Sequence, residues 1–164
     1  MGRVMGIHLC IQFPHEMDGD GIHPYLENYG ALRKIMARFM ENCESLEVHC
    51  WEDETDAIRE LIAVSDRADV KEGNPMIIST KCTPEVKDLL LNRGLNEKNQ
   101  YKWFTVFFKR GGEIYFSAEH WGSSAFIPNV GEEDLKFIRA AAGKDADIFQ
   151  YRDEDVDRAG EVLD

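Results

Sequence analysis

From Met5 to Phe13 the apolar residues Met5, Ile7, Leu9, Ile11 and Phe13 alternate with Gly6, His8, Cys10 and Gln12, the period of a strand. A polar loop from His15 to His23 follows, and Pro24 suits the first turn of a helix. Tyr25, Tyr29, Leu32, Ile35, Met36, Phe39 and Met40 recur at helical spacing and predict a helix to Asn42. Ser45 to Trp51 alternates again, with Leu46, Val48 and Cys50 on one face and Glu47, His49 and Trp51 on the other. Asp53, Glu54 and Asp56 open the next segment as acids that complement a helix N-terminus, and Ala57, Ile58, Leu61 and Ile62 supply its apolar stripe.

After the break at Gly73-Asn74-Pro75, Met76 to Thr80 reads as a short apolar strand. Thr83-Pro84-Glu85 combines an N-cap, a proline at the first helical position and an acid in the first turn, with Gly94 as the stop. Tyr101 to Arg110 and Glu113 to His120 are aromatic and β-branched runs joined by Gly111-Gly112, a two-residue hairpin signal. That register sets Arg110 opposite Glu113, Phe107 opposite Phe116 and Trp103 opposite His120. Because Phe104, Val106 and Phe108 make the other face apolar as well, the hairpin is expected in a sheet covered on both faces. A strand at Ser124 to Ile127, a helix from Glu132 to Ala142 stopped by Gly143, and a strand at Ile148 to Tyr151 complete the pattern.

Three β-then-α units followed by an antiparallel hairpin predict an α/β fold, a mixed sheet with helices packed on it. No repeat or Pro/Gly/Ser-rich linker divides the chain, so residues 1–151 are expected to form a single domain. Residues 152–164 are expected to be a charged C-terminal tail, loose at its end. With 164 residues, 43% of them hydrophobic, the chain can bury a core without staples. No apolar run approaches the ~20 residues of a membrane span. The start carries no export signal, so Cys10, Cys43, Cys50 and Cys82 are expected as reduced thiols in a cytoplasmic protein.

Charge changes the picture more than composition does. The net charge of −12 is uneven: residues 41–72 carry eleven acids against three bases, and residues 131–164 eleven against five. Residues 1–40 are balanced, and residues 81–110 carry seven bases against three acids. The densest runs are Glu52-Asp53-Glu54-Thr55-Asp56, with Glu60 one turn on, and Asp153-Glu154-Asp155-Val156-Asp157. No helix carries a basic stripe of the kind a phosphate backbone requires, so neither direct nucleic-acid binding nor membrane binding is expected.

Catalytic motifs are tested and fail. The first strand-to-helix loop lacks G-x-G-x-x-G, and G-x-x-x-x-G-K-[ST] occurs nowhere. Asp18-Gly19-Asp20-Gly21 resembles a calcium loop, but Ile22 and Tyr29 stand where oxygen ligands belong. His15, Asp18, Asp20 and His23 have donor types that suit a transition metal, with a solvated loop as the plainer account. Cys82 beside Lys81 precedes a helix N-terminus, a setting that can lower a thiol pKa, yet a small residue ending a strand explains it as well. His8 and Cys10 share a strand face and Glu119 to Ser124 gathers an acid, a base and hydroxyls, but strand alternation turns Glu119 and His120 apart.

The expectation is a non-catalytic acidic binding protein without a cofactor, of the inhibitor or immunity type, masking the cationic site of a nuclease toxin or other nucleic-acid-binding protein. Glu52, Asp53, Glu54, Asp56 and Glu60 would steer the basic partner, with Trp51 as an exposed anchor. The alternative is a small hydrolase or metal-dependent enzyme using the His15–His23 loop or Cys82.

Overall fold

Buried and half-exposed residues alternate along the central strands, and their pairing turns that alternation into two faces of one sheet. The computed structural model describes residues 6–153. In chain order the elements are β1 (His8–Gln12), β2 (His15–Met17), β3 (Pro24–Leu26), α1 (Tyr29–Met40), β4 (Ser45–Cys50), α2 (Thr55–Val64) and β5 (Asp69–Lys71). Then come β6 (Met76–Lys81), α3 (Pro84–Asn92), β7 (Thr105–Arg110), β8 (Glu113–Glu119), β9 (Ser124–Ile127), α4 (Glu132–Ala142) and β10 (Asp147–Tyr151). Eight strands form one sheet in the order β10-β1-β9-β8-β7-β4-β6-β5, while β2 and β3 pair as a separate ribbon. The α/β class, the single domain and the helices packed on the sheet are as the sequence predicts.

The registers place Val70, Ile78, Val48, Val106, Ala118, Ala125, Ile11 and Ile148 side by side across the sheet. This face meets Leu32, Ile35 and Met36 of α1, Leu61 of α2, Leu89 and Leu90 of α3 and Ile138 of α4 in one core. Burying such side chains contributes about 1.5–3 kcal/mol each, which makes this layer the main source of stability. The opposite face runs Ser79, Glu47, Phe107, Ser117, Phe126 and Cys10, and its large members are only partly buried.

Several expectations change. Every strand pair of the described sheet is antiparallel, where a mixed sheet was predicted. The β-then-α units do return strands in the same direction, since β1 parallels β4 and β6 parallels β7. Antiparallel strands are interleaved between each such pair, however. Short β5, unread in the sequence, reverses the chain once more, so that β6 enters antiparallel to β4. Pro24 begins β3 rather than a helix, and α1 starts at Tyr29.

The hairpin keeps Arg110 opposite Glu113, but a bulge shifts the rest, pairing Phe107 with Ser117 and Phe108 with Phe116. Tyr115 is the extra residue. It turns toward the helices, donating its hydroxyl to the Phe39 carbonyl at 2.6 Å. Trp103 therefore does not oppose His120: its indole is buried and donates to Ala57 O at 3.0 Å, tying the approach to β7 onto α2. Helices cover one face, not both, and Phe107 lies outside the core that Phe108 joins. Met5, the tail beyond Asp153 and most of the second acidic run lie outside the described residues.

Candidate functional site

Three consecutive residues after β8 carry positive φ: His120 (50°), Trp121 (53°) and Gly122 (80°). Side chains rarely adopt this region, and at Gly122 a Cβ would also crowd Leu32 Cδ2 at 2.7 Å, which favours glycine there. The turn swings Trp121 back under the end of the sheet. Its ring meets Phe104 (4.8 Å between centroids) and His23 (4.2 Å), and Phe104 in turn meets Trp51 (4.9 Å).

This aromatic layer surrounds Glu54 at the start of α2. One carboxylate oxygen accepts the Trp51 backbone N–H and the other the Trp121 indole N–H, both at 2.8 Å. Burial pushes the Glu54 carboxyl above its ordinary range, against the pull of those two donors. Beside it, Asp20 accepts the backbone N–H groups of Ile22 (2.8 Å) and His23 (3.1 Å), and its second oxygen lies 2.7 Å from His23 Nδ1. The Ile22 bond first, then the His23 contacts, lower the Asp20 pKa to about 2.

A second loop, residues 95–102, closes the site. Asn96 Oδ1 accepts the N–H groups of Lys98 (2.9 Å) and Gln100 (3.0 Å), which folds the loop on itself. Gln100 then donates to Asp18 Oδ2 at 3.2 Å and joins the two loops. Lys102 Nζ reaches Glu60 Oε2 at 2.8 Å. Between these parts lie two adjoining clefts. One of about 470 Å³ is bounded by Asp53, Glu54, Asp56, Glu60, Glu97 and Lys102; the other, of about 260 Å³, by Asp18, Asp20, His23, Glu54, Glu97, Lys98 and Trp121.

The structure thus brings most of the predicted acids together but assigns them different work. Glu52, Asp53 and Asp56 are exposed, Asp56 with Arg59 3.5 Å away. Glu54 is engaged by two donors inside the protein, and Glu60 by Lys102. Trp51 is half-buried against Phe104, so it is not the exposed anchor expected of it. Missed in the sequence are Trp121, the contact of Gln100 with Asp18, and the whole 95–102 loop. The Trp-Gly step at the end of β8 is the one local signal that pointed there.

The alternative's residues are scattered. His15 turns to the Phe13 carbonyl at 2.8 Å and borders a different cleft from His23. Among the described residues no group of three or more His, Cys, Asp or Glu is arranged to hold a metal ion. The neighbouring Cys43 side chain together with burial pushes the Cys82 thiol up, the opposite of an activated nucleophile. His8 faces Asp153 and accepts the Asn129 N–H at 3.2 Å rather than pairing with Cys10. No helix among the described residues is long and apolar enough to cross a membrane. Comparison with known proteins finds no match, whether to a family model, a curated protein or a solved structure.

Proposed function

We propose that this chain is a non-catalytic acidic binding protein that takes a basic protein partner, in the manner of an inhibitor or immunity-type protein covering the cationic site of a nuclease toxin or another nucleic-acid-binding protein. The observation that carries the reading is the convergence of carboxylates from three stretches of chain, Asp18 and Asp20, Asp53 to Glu60, and Glu97, on two adjoining clefts. Lys98 and Lys102 are the lysines among them. Clefts lined by one sign of charge focus the field and raise association rates by about 10- to 1000-fold for a partner of opposite sign, while repelling a phosphate backbone. Cytoplasmic residence fits the free thiols of all four cysteines.

The enzyme alternative retains the Asp20–His23 pair beside Glu54 but loses Cys82 and His15 for the reasons above. The test is kinetic. A partner captured at low salt and released at high salt is mixed with the wild type and with a variant carrying Glu52→Gln, Asp53→Asn and Asp56→Asn. Glu54 is left intact because it holds the fold. The variant is expected to associate at least about tenfold more slowly at low salt, with the gap closing as salt screens the charges. An unchanged on-rate at low salt refutes the proposal.

A further inference from the structure

We propose that the outer flank of α2 is where the basic partner anchors: an apolar side chain of that partner seats between Ile62 and Met76 while its Lys or Arg side chains meet Glu52, Asp53 and Asp56. The inference rests on the acidic-docking reading and adds to it the element that reading lacks, an apolar contact. Trp51, half-buried against Phe104, offers only part of its ring.

On its inner side α2 buries Ala57, Ile58 and Leu61. Ile62, one residue past that stripe, is 39% exposed. Together with Ile58, Ala63 and Met76 it walls an open groove of about 470 Å³. Charged side chains ordinarily occupy such a flank, and an apolar patch rimmed by polar residues is the common form of a protein interface. Burying one aliphatic side chain there supplies affinity that the rim charges, screened by water, do not.

Charge selects the occupant. Thr55 borders both this groove and the larger acidic cleft, so the two are opposite flanks of the same first turns of α2. Glu52 stands on the groove's own rim, with Asp53 and Asp56 exposed beside it. Among the described residues lining the groove the cation is Arg59, which lies 3.5 Å from Asp56 and is partly neutralised by it. A second copy of this chain would bring the same carboxylates into opposition, whereas a basic segment with an apolar residue among its lysines matches both groove and rim.

Two synthetic peptides of equal length and lysine content serve as probes, one with leucines at helical spacing and one with serines in their place. Binding is measured at low salt to the wild type, to Ile62→Ser, to Ala63→Arg and to the Glu52/Asp53/Asp56 variant. Both surface changes avoid the core, and an unchanged thermal melt confirms that each variant is folded. The leucine peptide is expected to bind the wild type about tenfold more tightly than the serine peptide, and Ile62→Ser and Ala63→Arg are each expected to erase that advantage. Loss of the advantage in the two α2 variants, with residual binding still lowered by removing the acids, supports the anchor. Equal affinity of the leucine peptide for wild type and Ile62→Ser overturns it while leaving the acidic reading standing. Binding of both peptides untouched by loss of the three acids overturns the acidic reading and the anchor with it. Concentration-dependent dimerisation abolished by Ile62→Ser also overturns it, assigning the groove to a second copy.

Discussion

The Trp121 indole N–H and the Glu54 carboxylate, 67 residues apart in the chain, meet at 2.8 Å and fasten the turn after β8 to the first turn of α2. Burial raises the Glu54 pKa above its ordinary 4.5, so the folded state holds that proton more tightly than the unfolded chain does. With respect to this group the fold is therefore most stable below 4.5 and loses stability as pH rises through the folded value. Trp121→Phe removes a donor to the ionised form and enlarges that loss. Urea midpoints should fall by an amount equivalent to about 1–3 kcal/mol, with a larger deficit near neutrality than in mild acid. Equal deficits at both would mean that the indole acts through packing alone.

Asp20 carries the opposite sign. Its three contacts with Ile22 and His23 favour the carboxylate, so the support it lends the 18–23 loop is present above the ordinary 3.8 and is lost as pH falls through about 2. A carbon-detected NMR titration of the Asp20 carboxyl should show a midpoint near 2 in the folded protein. A midpoint at the ordinary value would show that the Ile22 bond does not persist in solution.

Thiol reactivity offers a separate check. Burial, and then the nearby Glu54 charge, push Cys50 up to about 12, and Cys82 is raised by the neighbouring Cys43 side chain and by burial. Iodoacetamide in mild alkali should leave Cys50 and Cys82 unmodified in the native protein and label both after unfolding, as peptide mass mapping would read. Rapid native labelling of Cys82 would restore it as a candidate nucleophile.

Lys102 is a cation already seated among the acids, 2.8 Å from Glu60 with its side chain only 14% exposed. Lys102→Met deepens the negative potential of both clefts. Association with a basic partner at low salt should quicken a few-fold, while stability falls by about 1–3 kcal/mol because the buried Glu60 Oε2 loses its partner. Slower association in stopped-flow mixing would place Lys102 among the recognition residues instead.

Much of the fold was legible because its signals are local. Thr83 caps α3 by accepting the Val86 N–H at 3.3 Å, and Glu132 and Ala142 bound α4 where the acids and Gly143 indicate. Gly111 and Gly112 take the positive φ values their turn requires. The bulge escaped because Ile114, Tyr115 and Phe116 are three apolar residues in a row, and their polarity does not say which is the extra one. β5 has three exposed residues and offers no period at all. At the site, the acids of 52–60 were readable as charge. Their division into free and engaged groups was not, because the side-chain partners of Glu54 and Glu60 come from a turn and a loop more than forty residues away.

Strand β1 lies between β9 and β10, whose residues follow it by more than a hundred positions. During synthesis the first strand therefore waits for nearly the last part of the described chain before it finds either neighbour. That edge of the sheet, three of its eight strands, closes only then, late and through long loops whose closure slows folding. Until that moment Leu9 and Ile11 are uncovered apolar residues on an unpaired strand, the form of chain that chaperones hold.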